Sequence, residues 1–203
     1  MNPKDTFKTI SKPSEETLLK EKGSKFFGYA FPVETEEMAM VCLEGIREKH
    51  KNARHFCYAY QLGTDQIYFR ANDDGEPSNS AGMPIYGQIQ SFELTNVLVV
   101  IVRYFGGTKL GVGGLISAYK NSAKLTLETC EIVEKTIDSI YEIRFDYKDM
   151  NKVMRIIKEK NLNVLEQQLE LDCSIKLSVR KSLTEVLEKA FESLYEVQVK
   201  KIN

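Results

Sequence analysis

The residues from Arg103 to Gly114 combine glycine, a hydroxyl group and two cations between an apolar segment and an amphipathic one. The glycines are Gly106, Gly107, Gly111, Gly113 and Gly114, and the polar side chains are those of Arg103, Thr108 and Lys109. Glycine reaches positive φ at little cost and lets a partner approach the backbone closely. Backbone N–H groups in such a loop, followed by the positive end of a helix, can hold an anion. The spacing therefore predicts an anion-binding loop.

The chemistry expected of this loop is phosphate binding. Thr108 would donate a hydroxyl hydrogen bond, and Arg103 and Lys109 would supply charge. The segment is neither a P-loop, because no Gly-Lys-Ser/Thr sequence ends it, nor a Rossmann fingerprint. A plainer interpretation also stays open, in which the glycines only permit a tight turn from a strand to a helix.

The distribution of charge around the loop favours an anionic ligand. The chain as a whole has a formal net charge of −1, so its overall charge gives no argument for nucleic acid. Residues 94–127, however, contain no aspartate or glutamate, and they carry the cations Arg103, Lys109, Lys120 and Lys124. A local positive patch can attract an anion although the whole chain is nearly neutral. Tyr104, beside these cations, could stack on a nucleotide base.

A second candidate site is the acidic turn around Asp73, Asp74 and Glu76. Three carboxylates could hold Mg²⁺ or supply a general base. Acidic residues also occur in turns and before helices for structural reasons alone, and that interpretation is favoured here. We assign no metal and no cofactor from the sequence.

The cysteines and histidines give weaker signals. Cys42, Cys57, Cys130 and Cys173 are scattered singly, which indicates neither a zinc site nor a redox motif. His55 and Cys57 share a strand face, and a packed pair is a better interpretation than a catalytic one. His50 follows a predicted helix, where a cation would suit the helix dipole, and we interpret it as structural.

Hydrophobic periodicity predicts alternating strands and helices. Strands are predicted at 26–33, 55–62, 66–71, 97–102, 136–147, twice within 162–179 and at 194–202, and helices at 36–49, 80–92, 113–130, 149–160 and 182–193. The apolar run at 97–102 suits a central strand buried on both faces. Ser80 is a candidate N-cap, and residues 1–24 are expected to form a short edge hairpin or a loose segment.

The composition predicts two domains of the α+β class. Glycine is absent after Gly114, and the composition of the sequence changes near residue 133. We place the domains at 1–134 and 135–203. The order β-α-β-β-α-β in the second predicts a ferredoxin-like sandwich. Without a long apolar run or an apolar leader in the sequence, we expect a cytoplasmic protein that does not bind membranes.

Several motifs together resemble the YigZ/IMPACT family. They are Lys25-Phe-Phe, His55-Phe-Cys-Tyr-Ala-Tyr60, Asp74-Gly-Glu-Pro-Ser78 with Ala81-Gly-Met-Pro84, and Val102 to Leu115 with Ala118-Tyr119. The motifs span residues 24–128, and the C-terminal segment is similar to the second domain of bacterial members. The resemblance implies an N-terminal domain like the second domain of a small-subunit ribosomal protein, a fold shared with GHMP kinases. It also implies a C-terminal domain like one from an elongation factor.

The resemblance also implies a function. Eukaryotic relatives regulate translation under amino-acid starvation, and an RNA or ribosome role is proposed for bacterial members. Two departures from the family pattern occur: Asn79-Ser80 replaces Gly-Thr, and Ser117 stands where members often carry arginine. The absence of this arginine weakens the expected binding of phosphate and does not affect the fold.

Three functions remain open on the sequence. The first is a translation-associated factor that binds RNA or the ribosome through the glycine loop and the basic helix after it. The second is a metal-dependent enzyme acting on a phosphorylated small molecule or nucleotide through the acidic turn. The third is an adaptor for a protein partner of the translation machinery. Of these, the non-enzymatic factor is favoured, because no convincing nucleophile or base is evident.

Overall fold

The computed structural model describes residues 5–170, 172–192 and 194–202. The chain divides into two compact units, one comprising Phe7–Lys135 and the other comprising Met1–Thr6 and Thr136–Asn203 as far as these are described. We call them the N-terminal unit and the C-terminal unit. The protein is thus a mixed α/β chain with several sheets, as the sequence predicts, while the names of the two folds stay a prediction.

A five-stranded antiparallel sheet organises the N-terminal unit. Its strands are β2 (Thr17–Glu21), β3 (Ser24–Pro32), β4 (His55–Leu62), β5 (Tyr68–Asn72) and β6 (Val97–Tyr104), in the order β2-β3-β6-β4-β5. The first seven residues of β6 are all buried. The sequence prediction of a central strand covered on both faces is therefore confirmed, and the strand ends at the glycine loop.

Helices cover both faces of this sheet. They are α1 (Glu36–Lys49), α2 (Gly82–Ser91) and α3 (Gly111–Glu128). Apolar residues of α1 pack in one core cluster with the face that carries Tyr58, Tyr60 and Val100. Residues of α2 and α3 pack with the opposite face, which carries Val99 and Ile101. Because successive strand residues point to opposite faces, β6 supplies both cores at once.

The N-terminal residues do not form the predicted hairpin with each other. Strand β1 (Thr6–Ile10) instead pairs with β7 (Ile132–Thr136) in a separate two-stranded sheet, and β2 pairs with β3. Strand pairing between residues so distant in sequence is set by tertiary contacts, which local patterns do not reveal.

The predicted N-cap of α2 is wrong. Helix α2 begins after Ala81, and Ser80 Oγ donates to the carbonyl of Pro77 instead of capping. The N–H groups of Ala81 and Gly82 donate to Asp73 Oδ1 at 2.9 and 2.8 Å. The Asp73 carboxylate from the acidic turn therefore caps α2, and its negative charge interacts favourably with the helix dipole.

The C-terminal unit has the predicted order of elements. It contains β8 (Asp138–Asp146), α4 (Met150–Glu159), β9 (Asn163–Gln168), β10 (Asp172–Arg180), α5 (Thr184–Glu192) and β11 (Gln198–Lys201), with the sheet order β11-β8-β10-β9. Alternate residues of β8 and β10 are buried under the two helices. Among the described residues, no helix is both long and apolar enough to cross a bilayer.

Candidate functional site

The glycine loop joins the end of β6 to the start of α3 and lies at the surface. Residues 105–109 and 111–113 are exposed. Gly107 and Gly111 have φ values of +85° and +72°, a region that residues with a side chain rarely adopt. A Cβ at either position would meet no atom within 4 Å, so open space surrounds the turn. These two glycines are required by backbone conformation and not by crowding.

Within the described part of the chain, the backbone N–H groups of residues 107–110 have no acceptor. No described residue outside helix α3 accepts a hydrogen bond from the N–H groups of 107–113. Helix α3 has no side-chain cap and no acidic residue in its first turn. The first N–H groups of a helix carry partial positive charge and seek an acceptor. The loop and the helix start therefore offer several unpaired donors on an exposed surface.

Gly106 fixes the loop to the rest of the unit. A Cβ on Gly106 would lie 1.9 Å from the carbonyl carbon of Gly23 and 2.2 Å from the nitrogen of Ser24. The Gly106 N–H also donates to Ser24 Oγ at 3.2 Å. Close approach of two backbones thus explains this glycine, and it anchors the loop against the turn between β2 and β3.

Two of the predicted cations remain available at the surface. Lys109 and Lys120 are exposed, and neither pairs with a carboxylate in the part of the chain that the structure describes. Lys124, in contrast, lies 3.6 Å from Glu128 on the same helix. Ser117 is exposed on α3 as well. Lys109 and Lys120 are the cations that an external anion can reach.

Arg103 does not join them, because it is buried. Its side chain is 6% exposed and lies 2.7 Å from Glu76, whose side chain is 5% exposed. Arg103 also lies 3.4 Å from Ser24 Oγ, the atom that holds Gly106. The predicted binding residue therefore acts as a positioning residue that connects the acidic turn to the glycine loop. The sequence carried one signal of this burial, since Arg103 directly follows the apolar run 97–102, which suits a strand buried on both faces.

The buried pair extends to Tyr119 and Cys57. The Tyr119 hydroxyl donates to Glu76 at 2.8 Å, and Cys57 Sγ lies 3.3 Å from that hydroxyl. Burial raises the pKa of the Cys57 thiol and that of the Tyr119 hydroxyl well above their usual ranges. Both groups stay protonated at neutral pH. A protonated, buried thiol is not a nucleophile, which supports the packed interpretation of Cys57.

The acidic turn is engaged internally. Asp73 accepts three backbone N–H groups, including that of Asn79 at 2.8 Å. Asp74 accepts the Phe56 N–H at 2.7 Å and pairs with Arg47 at 3.3 Å, while its carbonyl lies 3.0 Å from His55 Nδ1. No group of three or more potential metal ligands occurs among the described residues. The turn shapes the site and offers no support for the metal-dependent alternative.

His50 forms a buried polar chain that the sequence did not reveal. Its ring lies within hydrogen-bond distance of the hydroxyls of Tyr29 and Tyr104, and Tyr29 donates to Glu16. His50 is 7% exposed, and burial lowers its pKa below the usual 6.5. Burial therefore disfavours the charged form of this ring at the end of α1.

This burial predicts a pH dependence of stability. The unfolded chain takes up a proton on His50 near pH 6.5, whereas the folded chain binds it only at lower pH. The free energy of unfolding of the N-terminal unit should therefore fall as the pH drops below about 6.5. Urea denaturation between pH 7.5 and 5.5 measures this. The His50→Gln variant should show a flatter profile, and an unchanged slope would contradict the assignment.

The chain resembles known proteins in sequence and structure. A family model described as the Impact N-terminal domain matches residues 22–127. The "IMPACT family member YvyE" of Bacillus subtilis is 35% identical over 158 residues, which cover 78% of this chain and 72% of that protein. An "IMPACT family member" of Haemophilus influenzae is 31% identical over 166 residues, covering 81% of each chain.

A solved structure extends the similarity of fold over nearly the whole chain. Described as the "Crystal structure of an hypothetical protein", it matches with a TM-score of 0.73 and covers 98% of each chain. Its sequence identity is 23%, so this match concerns the fold alone.

Proposed function

The chain belongs to the IMPACT family, and from this premise we propose that it is a translation-associated regulatory factor that binds RNA or the ribosome. The translational part of the proposal comes from the family resemblance. The binding part comes from the glycine loop and helix α3 of the N-terminal unit. No step of chemistry is required of the site.

One observation carries the binding proposal: unpaired donors and unpaired cations occur on the same surface segment. The N–H groups of 107–113 have no described acceptor outside helix α3, and Lys109 and Lys120 form no described ion pair. Phosphate oxygens match both kinds of group, since charged acceptors form the stronger hydrogen bonds with N–H donors. The Thr108 hydroxyl, exposed within the loop, adds a donor of the kind that contacts an RNA backbone.

Binding through phosphates predicts a strong dependence on salt. Each neutralised phosphate releases counterions, so the logarithm of affinity should fall linearly with that of the salt concentration. Neutralising both lysines, in Lys109→Gln/Lys120→Gln, should reduce the magnitude of that slope by about 1.4 for a single-stranded RNA. Filter binding to a single-stranded RNA at several salt concentrations measures the slope.

A matched pair of lysines controls for overall charge. Lys12 and Lys189 are exposed and lie outside the loop and α3. Lys12→Gln/Lys189→Gln removes the same charge and should leave the slope close to the wild-type value. Equal slopes for the wild type and the Lys109/Lys120 variant would remove the loop and helix from the proposed interface. Salt-independent retention of RNA by the wild type would argue against phosphate binding altogether.

A further inference from the structure

Two cavities adjoin the end of β6, next to the glycine loop. Tyr104 and Phe105 line both. The larger, which we call the aromatic cavity, has a volume of about 470 Å³, and its other lining residues are Gly23, Lys25, Phe27 and His50. The smaller, which we call the basic cavity, has a volume of about 320 Å³ and is also lined by Asn52, Arg54, His55 and Arg103. Pockets of this size accommodate small planar ligands.

Rings form the walls of the aromatic cavity. The ring centroid of Phe27 lies 5.6 Å from that of Tyr104 and 5.2 Å from that of His50. Aromatic walls of this kind bind either an organic cation or a planar base. Lys25 lines the same cavity and is exposed, and none of the described lining residues is acidic. A cationic ligand would meet this lysine unfavourably, so the cavity suits a base that carries a phosphate.

The ring of Phe105 is exposed, and its position is restricted by a neighbouring side chain. Its side chain is 57% exposed, although a large apolar side chain gains by burial. The Arg103 guanidinium lies 5.6 Å from its ring centroid, a cation–π contact that restricts the ring. Arg103 is itself fixed by Glu76, so the ring is positioned from the buried network. A pre-positioned exposed ring is suited to stacking with a base at low entropic cost.

The charges around the basic cavity complement a nucleic-acid backbone. Arg54 is exposed, and no described carboxylate pairs with it. Asn52, also exposed, adds an amide donor at the same cavity. Acidic residues are absent from the described lining of this cavity too. Guanidinium groups bind phosphate through paired hydrogen bonds, so Arg54 suits a backbone phosphate.

Both cavities are continuous with the glycine loop. Gly23, in the wall of the aromatic cavity, is in backbone contact with Gly106. Phe105, which lines both cavities, immediately precedes Gly106 in the chain. A strand of nucleic acid whose phosphates contact the loop would therefore place its next bases at these cavities.

We propose that the aromatic cavity binds an unpaired base of a single-stranded RNA by stacking on Phe105, and that Arg54 in the basic cavity binds an adjacent phosphate. The inference rests on the proposed function and adds to it the class of ligand. Bases within a duplex are already stacked on their neighbours and are not free to enter a cavity, whereas unpaired bases stack readily on aromatic side chains. The site therefore selects single-stranded over double-stranded RNA.

The test compares Phe105→Leu with the wild type on three probes: a single-stranded RNA, the same sequence as a duplex, and the single strand with abasic positions. The wild type should bind the intact strand best. Phe105→Leu should weaken that binding about 5-fold or more and leave duplex and abasic binding unchanged, because only stacking is lost. Phe69→Leu is the matched control, since Phe69 is a 44% exposed ring on β5 that lines neither cavity.

A tryptophan reporter provides a direct readout of stacking. The chain contains no tryptophan. The Phe105→Trp variant therefore carries a single indole, whose emission should be quenched by the intact strand and not by the abasic one. Tyr195→Trp, at a residue 98% exposed in the C-terminal unit, should show no quenching. A mononucleotide that quenched Phe105→Trp as tightly as the strand would overturn the assignment of a strand as the ligand.

The outcomes separate this inference from the proposed function. Equal binding of strand and duplex by the wild type, with no effect of Phe105→Leu, would overturn the base-binding assignment. The slope change in Lys109→Gln/Lys120→Gln would then still support phosphate binding at the loop. Failure of every RNA to bind at low salt would overturn both. Arg54→Gln should lower the magnitude of the salt slope by about 0.7, and an unchanged slope would remove Arg54 from the site.

Discussion

Replacing Glu76 by glutamine is expected to destabilise the N-terminal unit by about 3–5 kcal/mol, because it leaves the buried Arg103 charge without its partner. Glutamine keeps the size of the side chain, so the loss reports charge and not a cavity. The free energy of unfolding from urea denaturation measures the effect. The disturbance should also reach the glycine loop, since Arg103 contacts Ser24 Oγ, which holds the Gly106 N–H.

A double-mutant cycle separates the ion pair from its surroundings. In the Glu76→Gln background, Arg103→Gln should cost far less than it does in the wild type, because the uncompensated charge is removed with it. Additive losses would contradict the coupling. The exposed pair between Arg70 and Glu36, at 2.8 Å, serves as the control. Arg70→Gln should change stability much less, since solvent screens surface pairs.

Gly106→Ala is expected to displace the glycine loop and to abolish most of the RNA affinity that we propose for it. The added methyl would overlap the backbone of Gly23 and Ser24, and a backbone cannot rotate away as a flexible side chain can. Forced overpacking of this kind typically costs 1–3 kcal/mol and occasionally more. Urea denaturation and filter binding measure the two consequences separately.

Gly113→Ala is the matched control for that substitution. Gly113 lies in the first turn of α3, and a Cβ there would meet nothing within 4 Å. Alanine should leave the stability unchanged or raise it by about 0.5–1 kcal/mol, because helical glycine costs backbone entropy. If both variants behaved alike, the close contact of Gly106 with Gly23 would not be what positions the loop.

The predicted and observed roles of Arg103 differ for a physical reason. A cation beside a glycine-rich loop is a reasonable phosphate ligand, and the sequence places it there. Its partner Glu76 lies 27 positions earlier, in a turn whose position in space no local pattern gives. The pairing removes Arg103 from the accessible charges, whereas Lys109 and Lys120 stay exposed. The buried ion pair of Arg103 and Glu76 instead holds the glycine loop in position.

Elements with strong periodicity were predictable from the sequence. Helix α1 occupies the predicted residues Glu36–Lys49, and β6 begins at the predicted Val97. The start of α2 was not predictable from Ser80, because its N–H groups bond a carboxylate eight and nine positions away. Likewise, the strand pairing of β1 with β7 depends on residues more than 100 positions apart.

The sequence by itself determined the strongly periodic helices and strands, the order of elements in the C-terminal unit, the glycine loop with its acid-free surroundings, and the resemblance to the IMPACT family. These depend on side-chain periodicity, backbone permissiveness and motifs, which are local properties. Only the tertiary structure decided which charges are free, which carboxylates are already bonded, and which rings surround a cavity. Those properties depend on burial and on contacts between distant residues, such as Gly23 with Gly106, so they arise only when the chain is folded.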